Sequence, residues 1–299
     1  MTHLPKVIFV VGPTASGKTD MGIALARTFG GEVISADSRQ IYRDMAIGTA
    51  KPADVGGIPH HLFDIVNPDE VFTLAEFQER ALSLVRDIAA RGRVPFVVGG
   101  TALYVYALVD HWDIPKVPPQ AELRNTLDAL PLESLQQMLR EKDPDAVAFV
   151  DQKNKRRLIR ALEVTIAGGT PFSAARRAGE PVIDSLLLGM DVPRETLNAR
   201  IDARVDAMMA AGLEAEVRRL EAAYGWDAPA MNGIGYRQFR RYTEEKETLA
   251  DAVARLKHDT RDVAKRQMTW FRRDKRIRWI GTAEDAERAI KEFLHTDSL

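Results

Sequence analysis

A glycine-rich octapeptide near the N-terminus constrains the fold of this 299-residue chain more than any other feature. Residues 12–19 read Gly-Pro-Thr-Ala-Ser-Gly-Lys-Thr and match the pattern G-x-x-x-x-G-K-[ST] at every fixed position. In such a loop the glycines let successive backbone N–H groups turn inward around a phosphate, while the lysine adds a positive charge and the last hydroxyl can hold Mg²⁺. The pattern therefore predicts a phosphate-binding loop, or P-loop.

The sequence on either side of the loop supplies the strand and the helix that a P-loop requires. Lys6 to Val11 is a short β-branched and aromatic run, which is typical of a buried parallel strand. Thr19 to Phe29 is a helical stretch that Gly30 and Gly31 end. This order places a bound phosphate at a helix N-terminus. The alternatives left open here are a glycine-rich turn without a ligand and the kind of diphosphate or triphosphate bound.

Composition narrows the class of protein. With 45% hydrophobic and 28% charged residues, the chain resembles an ordinary globular protein of one large or two smaller domains. No apolar run approaches the roughly 18 residues that span a bilayer, and the N-terminus lacks a signal-peptide pattern, so we expect a cytoplasmic protein without membrane attachment. The absence of cysteine excludes disulfides and thiolate metal sites. A net charge of −1 does not exclude a nucleic-acid partner, because acidic residues can balance a basic face.

Two further apolar runs end at residues that can carry chemistry. The run that begins at Glu32 ends with Asp37 and Ser38, and the run that begins at Val94 ends with Gly99, Gly100 and Thr101. The carboxyl ends of parallel strands meet at the edge of the sheet where ligands bind. Asp37 is therefore a candidate Mg²⁺ ligand or general base, and the alternative is a turn cap. Asp191 is a second candidate for the same role, because it also follows an apolar run.

A change of character at residue 113 predicts the domain organisation. Prolines open a segment of helical patterns that contains no convincing strand, and the sheet pattern resumes at Ser185. We predict an α/β fold with a P-loop NTPase-like parallel sheet flanked by helices. This catalytic core comprises residues 1–112 and 185–299, and residues 113–184 form an inserted all-helical domain.

Two basic clusters suggest an RNA partner. Basic residues mixed with aromatic residues suit a phosphate backbone and unstacked bases, although the alternative is a solvated charged helix face. The first cluster is Lys153, Lys155, Arg156, Arg157 and Arg160; the second is Lys265, Arg266, Arg272, Arg273, Lys275, Arg276 and Arg278, interleaved with Trp270, Phe271 and Trp279.

His60 and His61 are adjacent and cannot share a helix face as metal ligands do, so we expect no metal there.

Several short motifs extend the P-loop pattern along the chain. They are Asp37-Ser38-Arg39-Gln40-Ile41-Tyr42, Ile47-Gly48-Thr49-Ala50-Lys51-Pro52, Pro59-His60-His61-Leu62, Val98-Gly99-Gly100-Thr101, Ile234-Gly235-Tyr236-Arg237 and the segment from Ala264 to Arg272. Together they resemble the bacterial tRNA dimethylallyltransferases, also called tRNA isopentenyltransferases, from residue 7 to about residue 280. A P-loop followed closely by D-S-x-x-x-Y and G-T-A-K-P is far more specific than the P-loop alone.

The resemblance implies a reaction. The dimethylallyl group of dimethylallyl diphosphate is transferred to N6 of the adenine directly 3′ of the anticodon, at tRNA position 37, in tRNAs that read codons beginning with U. Asp37 takes the N6 proton, Lys18 neutralises charge on the departing diphosphate, Thr19 binds Mg²⁺ and Thr101 contacts the target nucleotide. The diphosphate-binding residues are Gly12, Pro13, Thr14, Ala15, Ser16, Gly17, Lys18 and Thr19.

The resemblance also implies the partners. They are the anticodon stem-loop of tRNA, gripped by the helical insert, and dimethylallyl diphosphate; we expect a monomer. No zinc is expected, because the Cys₂His₂ extension of eukaryotic relatives is absent. Two other classes compete: a P-loop small-molecule kinase or NTPase that binds ATP, and a non-catalytic RNA-binding module with a structural P-loop. The implied tRNA-binding positions are Asp37, Ser38, Arg39, Gln40, Thr101, Arg124, Arg156, Arg157, Leu158, Ile159 and Arg160.

Overall fold

A single sheet of six parallel strands organises the computed structural model, which describes residues 4–176 and 179–296. Their spatial order, β3-β2-β4-β1-β5-β6, puts β1 between β4 and β5. The last five residues of β1 are buried, as its continuous apolar run predicts for a strand covered on both faces. The strands are Lys6–Val11 (β1), Glu32–Ser35 (β2), His60–His61 (β3), Pro95–Gly99 (β4), Asp184–Met190 (β5) and Arg278–Ile280 (β6).

Helices follow most of these strands, and the predicted α/β fold with a parallel sheet is confirmed. The α-helices of the described ranges are Lys18–Thr28 (α1), Leu74–Ala90 (α2), Ala102–Val109 (α3), Ala121–Asp128 (α4), Leu132–Lys142 (α5), Lys155–Gly168 (α6), Arg194–Ala210 (α7), Leu213–Tyr224 (α8), Arg240–Thr243 (α9), Leu249–Phe271 (α10) and Ala283–His295 (α11). Short 3₁₀ helices lie at Pro144–Ala148, Phe172–Arg176, Pro229–Asn232 and Arg237–Phe239. Within the described ranges no helix is long and apolar enough to cross a membrane.

The chain divides into two compact units. One comprises Met1–Val105 and Val182–Leu299 and holds the sheet; the other is Tyr106–Pro181, whose described residues are helical or irregular. The helical unit has its own apolar core, to which Leu135, Leu139 and Leu158 contribute. Its boundaries fall at 105/106 and 181/182, whereas the sequence placed them at 112/113 and 184/185. The difference at the first boundary arises because α3 continues through it.

Two elements escaped the sequence patterns. Strand β3 has only two residues, so it carries no periodicity, and its register comes from pairing with β2 (Val33 opposite His60). Helix α11 follows the last predicted strand; Thr282 caps it by accepting from the Asp285 N–H, and Ile290 is buried against the sheet cluster. Both elements extend the predicted sheet and helix layers without changing the fold class.

Candidate active site

The P-loop connects β1 to α1 with two residues in the backbone conformation that favours anion binding. Ala15 and Gly17 lie in the left-handed region with φ of 63° and 87°, and such a conformation turns neighbouring N–H groups toward one point. Gly17 is the N-cap of α1, and no side chain of the described residues caps this helix. The buried Ser16 Oγ has no hydrogen-bond partner among them either. A phosphate group suits these unpaired donors.

Lys18 adds a buried cation to the loop. Its side chain is only 9% exposed, and its Nζ donates a hydrogen bond to the Pro13 carbonyl oxygen at 3.2 Å. Burial lowers the pKa of Lys18 to about 8; the Asp37 carboxylate opposes this effect and the Arg204 guanidinium adds to it. An anion beside Lys18 raises that pKa again, so the site favours a charged phosphate ligand.

Two arginines of α7, which the sequence analysis missed, contact the same loop. Arg204 and Arg200 lie one helical turn apart, and their Nη1 atoms are 3.5 Å from Thr14 Oγ1 and from the Ser16 carbonyl oxygen. Burial lowers the pKa of Arg204, and nearby Asp20 counteracts it. The only sequence signal was the i,i+4 spacing of two arginines on a helix. They make the P-loop more positive than its own residues do.

One cavity brings the predicted donor and acceptor residues together. Lys18, Thr19, Asp37 and Arg204 all line it. Asp191 does not: its side chain is 58% exposed, and its Oδ1 lies 3.6 Å from Nη2 of Arg272. Of the two candidate acids, the structure therefore places Asp37 at the P-loop.

Thr101 holds the turn that presents Asp37. The Thr101 Oγ1 accepts from the Ser38 N–H at 3.1 Å, and the Thr101 N–H donates to the Ala36 carbonyl oxygen at 3.1 Å. One Asp37 oxygen accepts from the Arg39 N–H at 2.8 Å, which is the turn-capping contact that the alternative interpretation predicted. Asp37 thus caps its own turn and also faces the cavity.

The end of β4 fits closely against this turn. A Cβ at Gly99 would lie 2.2 Å from the Ala36 carbonyl oxygen, so only glycine is tolerated there. The register pairs Val11 with Gly99, which puts the ends of β1 and β4 level with each other. The glycines of the Gly-Gly-Thr segment therefore allow the Asp37 turn to lie beside the P-loop.

A buried carboxylate shapes a second loop of the cavity, residues 46–52. Glu216 on α8 accepts from the N–H groups of Ala46, Ile47 and Gly48 at 2.9–3.0 Å and from the Tyr236 hydroxyl at 2.8 Å. Burial, together with the nearby Glu216 charge, raises the pKa of Tyr236 above its usual value. Through Glu216 this network joins the G-T-A-K-P segment to the I-G-Y segment. In the sequence, Glu216 has no feature that distinguishes it from other acidic residues of an amphipathic helix.

Gln40, a predicted tRNA-binding residue, is buried beneath that loop. Its side chain accepts from the Ser35 hydroxyl at 3.1 Å and donates to the carbonyl oxygens of Thr49 and Ala50 at 3.3 Å. Ser38 and Arg39 are half-buried next to Asp37. The observed contacts of Gln40 are therefore with the loop that lines the cavity.

In the helical unit, Arg124 and Arg160, two residues predicted to contact tRNA, bind the buried carboxylate of Glu163. Glu163 is fully buried; Arg124 donates to both its oxygens at 2.8 and 2.9 Å, and Arg160 donates at 2.6 Å. Burial disfavours the charged form of Glu163, but these bonds and the Gln120 N–H hold its pKa below the usual value. Both arginines keep part of their surface exposed, at 42% and 36%. Arg124 thereby anchors α4 to α6, whereas Arg160 lies on α6 with Glu163 and also donates to the Val117 carbonyl oxygen at 3.1 Å.

The remaining predicted positions on α6 separate into two groups. Arg156 and Arg157 are exposed, whereas Leu158 and Ile159 are 0% and 7% exposed within the core of the helical unit. Leu158 and Ile159 thus pack into the core, because successive residues of a helix point in different directions, and their contact with tRNA stays a prediction. Only the two arginines project into solvent.

The second basic cluster is only partly available to a ligand. Phe271 is buried, and Arg272, Arg276 and Arg278 form ion pairs with acidic residues. A group of four exposed cations remains, which makes no ion pair in the described part of the chain. Its members are Lys265, Arg266, Arg273 and Lys275.

The oxygen donors that line the P-loop cavity suit Mg²⁺. The described residues contain no group of three His, Asp or Glu side chains suited to a metal. His61 instead pairs with buried Glu32, with its Nε2 at 2.8 Å from Oε2. Thr19 and Asp37 line one cavity, and Mg²⁺ commonly takes one or two protein oxygens together with waters and phosphate oxygens.

A parallel sheet whose central strand runs into a P-loop, with an acid from a nearby strand on the same cavity, defines a phosphate-binding α/β protein of the P-loop class. Comparison with known proteins identifies the family within this class. Residues 40–274 match the family model described as IPP transferase, and residues 5–56 match the model described as Isopentenyl transferase. The chain belongs to the IPP transferase family, the tRNA dimethylallyltransferases.

Individual relatives agree. The chain is 50% identical to a tRNA dimethylallyltransferase of Roseiflexus sp. (strain RS-1), covering 89% of this chain and 90% of the relative. It resembles the crystal structure of a tRNA isopentenylpyrophosphate transferase of Bacillus halodurans with a TM-score of 0.72, 37% identity and coverage of 97% and 95%. It also resembles a eukaryotic dimethylallyltransferase solved acting on tRNA, with a TM-score of 0.76, 31% identity and coverage of 89% and 69%. The family resemblance and the enzyme class are thereby confirmed.

Proposed function

We propose that this chain transfers the dimethylallyl group of dimethylallyl diphosphate to N6 of the adenine at tRNA position 37, in tRNAs that read codons beginning with U. The observation that carries the proposal is the single cavity shared by Lys18 and Asp37. In the reaction a bond forms between N6 and C1 of the dimethylallyl group while the bond from C1 to the diphosphate oxygen breaks. The electron pair leaves with the diphosphate, and the N6 proton passes to Asp37.

The P-loop side stabilises the leaving group. The N–H groups at the start of α1 and Lys18 would stabilise the negative charge that grows as the diphosphate departs, and such preorganised donors act most strongly in the transition state. Arg204 contributes a further cation. Mg²⁺, held by the Thr19 hydroxyl, would neutralise part of the same charge.

The Asp37 side activates the acceptor. The N6 amine is a poor nucleophile because its lone pair is delocalised into the adenine ring, so removal of its proton as the new bond forms assists the attack. The N–H of Ser38, the residue after Asp37, donates to Thr101 Oγ1 and so holds the turn that carries Asp37. Thr101 is proposed to contact the target nucleotide as well.

The exposed cations support binding of the anticodon stem-loop. Arg156 and Arg157 on α6, and separately Lys265 and Arg266 on α10, offer charges to phosphates. Adenines in a loop are more easily unstacked than those in a duplex, which favours a reaction on a splayed base. We propose that the chain acts as a monomer, in which Lys18, Thr19, Asp37 and Arg204 of one chain line the cavity.

The direct test is product analysis by mass spectrometry. The protein is incubated with an unmodified anticodon stem-loop, dimethylallyl diphosphate and Mg²⁺, and the RNA is digested to nucleosides. We expect one C₅ addition on the adenine 3′ of the anticodon and none on a matched RNA with guanine there. ATP hydrolysis without C₅ addition would instead support the kinase or NTPase alternative.

A further inference from the structure

Gln267 on α10 points into the molecule, toward the P-loop. It shares a helix face with the buried residues Ala264 and Phe271, whereas its neighbours Arg266 and Trp270 are exposed. Its side-chain carboxamide makes two hydrogen bonds. The Oε1 accepts from the Thr14 N–H at 2.9 Å, and the Nε2 donates to the Gly100 carbonyl oxygen at 2.8 Å. Only this orientation of the amide satisfies both partners.

These two partners belong to different parts of the site. Thr14 lies within the P-loop, and Gly100 connects the end of β4 to Thr101. The fit is close: a Cβ at Gly100 would lie 2.6 Å from the Gln267 Nε2 and 3.1 Å from the Gly12 carbonyl oxygen. The glycine therefore permits the contact between the helix, the P-loop and the end of the strand.

The Gly100 peptide leads on to the turn that carries Asp37. The next residue, Thr101, donates through its N–H to the Ala36 carbonyl oxygen and accepts from the Ser38 N–H, both at 3.1 Å. Hydrogen bonds thus connect the P-loop through Gln267 to the Gly100–Thr101 peptide, and from Thr101 to the residues on both sides of Asp37. Gln267 is the member that joins the phosphate loop to the rest.

We infer that Gln267 is a positioning residue that fixes the separation between the donor's diphosphate on the P-loop and the base Asp37. This inference rests on the proposed function. Gln267 does not line the cavity that Lys18 and Asp37 share, but a displacement of about 1 Å between reacting groups can lower a rate about 100-fold. A carboxamide suits the task because it has a donor and an acceptor side by side, whereas a carboxylate offers only acceptors.

Steady-state kinetics of Gln267→Met test this role. Methionine has a similar length and neither hydrogen bond. We expect kcat to fall about 10- to 100-fold, while the KM for dimethylallyl diphosphate and the Kd for the stem-loop stay within about threefold, because the P-loop donors and the basic surfaces remain. Gln267→Glu keeps the acceptor for Thr14 but places a carboxylate oxygen against the Gly100 carbonyl oxygen, so it should not restore kcat to the wild-type value. The control is Gln137→Met at an exposed position of α5, which should leave all constants unchanged.

Each outcome decides a separate point. An unchanged kcat in Gln267→Met, or a loss confined to the donor KM, would overturn the positioning role, since a purely structural or ground-state contact predicts those results. If the wild-type protein makes no prenylated adenine, the proposed function fails first and the inference with it. Should Gln267→Met lack a cooperative melting transition, Gln267→Asn, which keeps the amide one methylene shorter, is measured by the same criteria.

Discussion

Replacing Lys18 by methionine should stabilise the ligand-free protein while abolishing diphosphate binding. Burial lowers the pKa of Lys18 from 10.5 to about 8. At about 1.36 kcal/mol for each tenfold change in proton affinity, the charged lysine costs the folded state about 3 kcal/mol. Methionine fills a similar volume without a charge. We therefore expect Lys18→Met to raise the melting temperature at pH 7 by about 5 °C, given the unfolding entropy of a chain of this size.

The effect has a defined pH dependence. Below pH 8 the folded and unfolded chains both hold the Lys18 proton, so the full cost is present. Between about pH 8 and 10.5 the folded chain releases the proton first, so the unfolded state binds more protons and wild-type stability rises with pH. The advantage of Lys18→Met should therefore shrink across this range and vanish near pH 10.5.

Thermal melts at pH 7 and pH 9.5, with and without inorganic diphosphate, measure both effects. At 100 times its Kd the diphosphate should stabilise the wild type by about 2.7 kcal/mol and leave Lys18→Met unchanged. Lys142→Met, at an exposed position of α5, is the matched control and should alter stability by less than about 0.5 kcal/mol. A Lys18→Met protein that is less stable than wild type at pH 7, or whose gain is the same at both pH values, would refute the argument.

Four other perturbations test neighbouring parts of the account. Glu216→Ala leaves three loop N–H groups and a tyrosine hydroxyl without their acceptor, and urea unfolding should show a loss of about 3–5 kcal/mol. Glu32 has a pKa lowered to about 2, chiefly by its hydrogen bond from Arg91, so it contributes stability above pH 4.5 that is lost as the pH falls toward 2. Glu32→Gln should remove about 2 kcal/mol of that acid-dependent stability in melts from pH 6 to 3. Arg156→Ala should weaken stem-loop binding and reduce its salt dependence by about one phosphate contact in filter-binding assays; an unaltered salt slope would indicate a merely solvated side chain. Asp37→Ala should lower kcat about 10²- to 10⁴-fold with stem-loop affinity kept within a few-fold, whereas Asp191→Ala should retain wild-type kcat.

Local sequence patterns were sufficient to predict the elements that depend on residues close together in the chain. The apolar run of β1 and the octapeptide behind it specify a strand, a loop and the start of a helix, because each depends only on neighbouring residues. The strand ends at Asp37 and Thr101 could be assigned to one edge of the sheet for the same reason. Strand β3 could not be predicted, since two residues have no period and gain their register from β2.

Contacts between distant segments account for what the sequence did not reveal. Glu216 and Gln267 read as ordinary polar residues of amphipathic helices, yet the fold carries their side chains to loops far away in the chain. Leu158 was predicted to contact tRNA together with its basic neighbours, because the family resemblance covers the whole segment from Arg156 to Arg160. The helix instead directs it into the core. The site is thus specified partly by tertiary contacts that no local pattern records.

The central claim is that the P-loop holds the leaving group of a prenyl donor and not ATP. The most direct measurement counts the diphosphate released and the dimethylallyl groups gained by the stem-loop RNA in the same reaction. We predict equal amounts at every time point, with no consumption of ATP when it is present. Diphosphate release without a matching gain on the RNA, or conversion of ATP to ADP in step with turnover, would contradict the account.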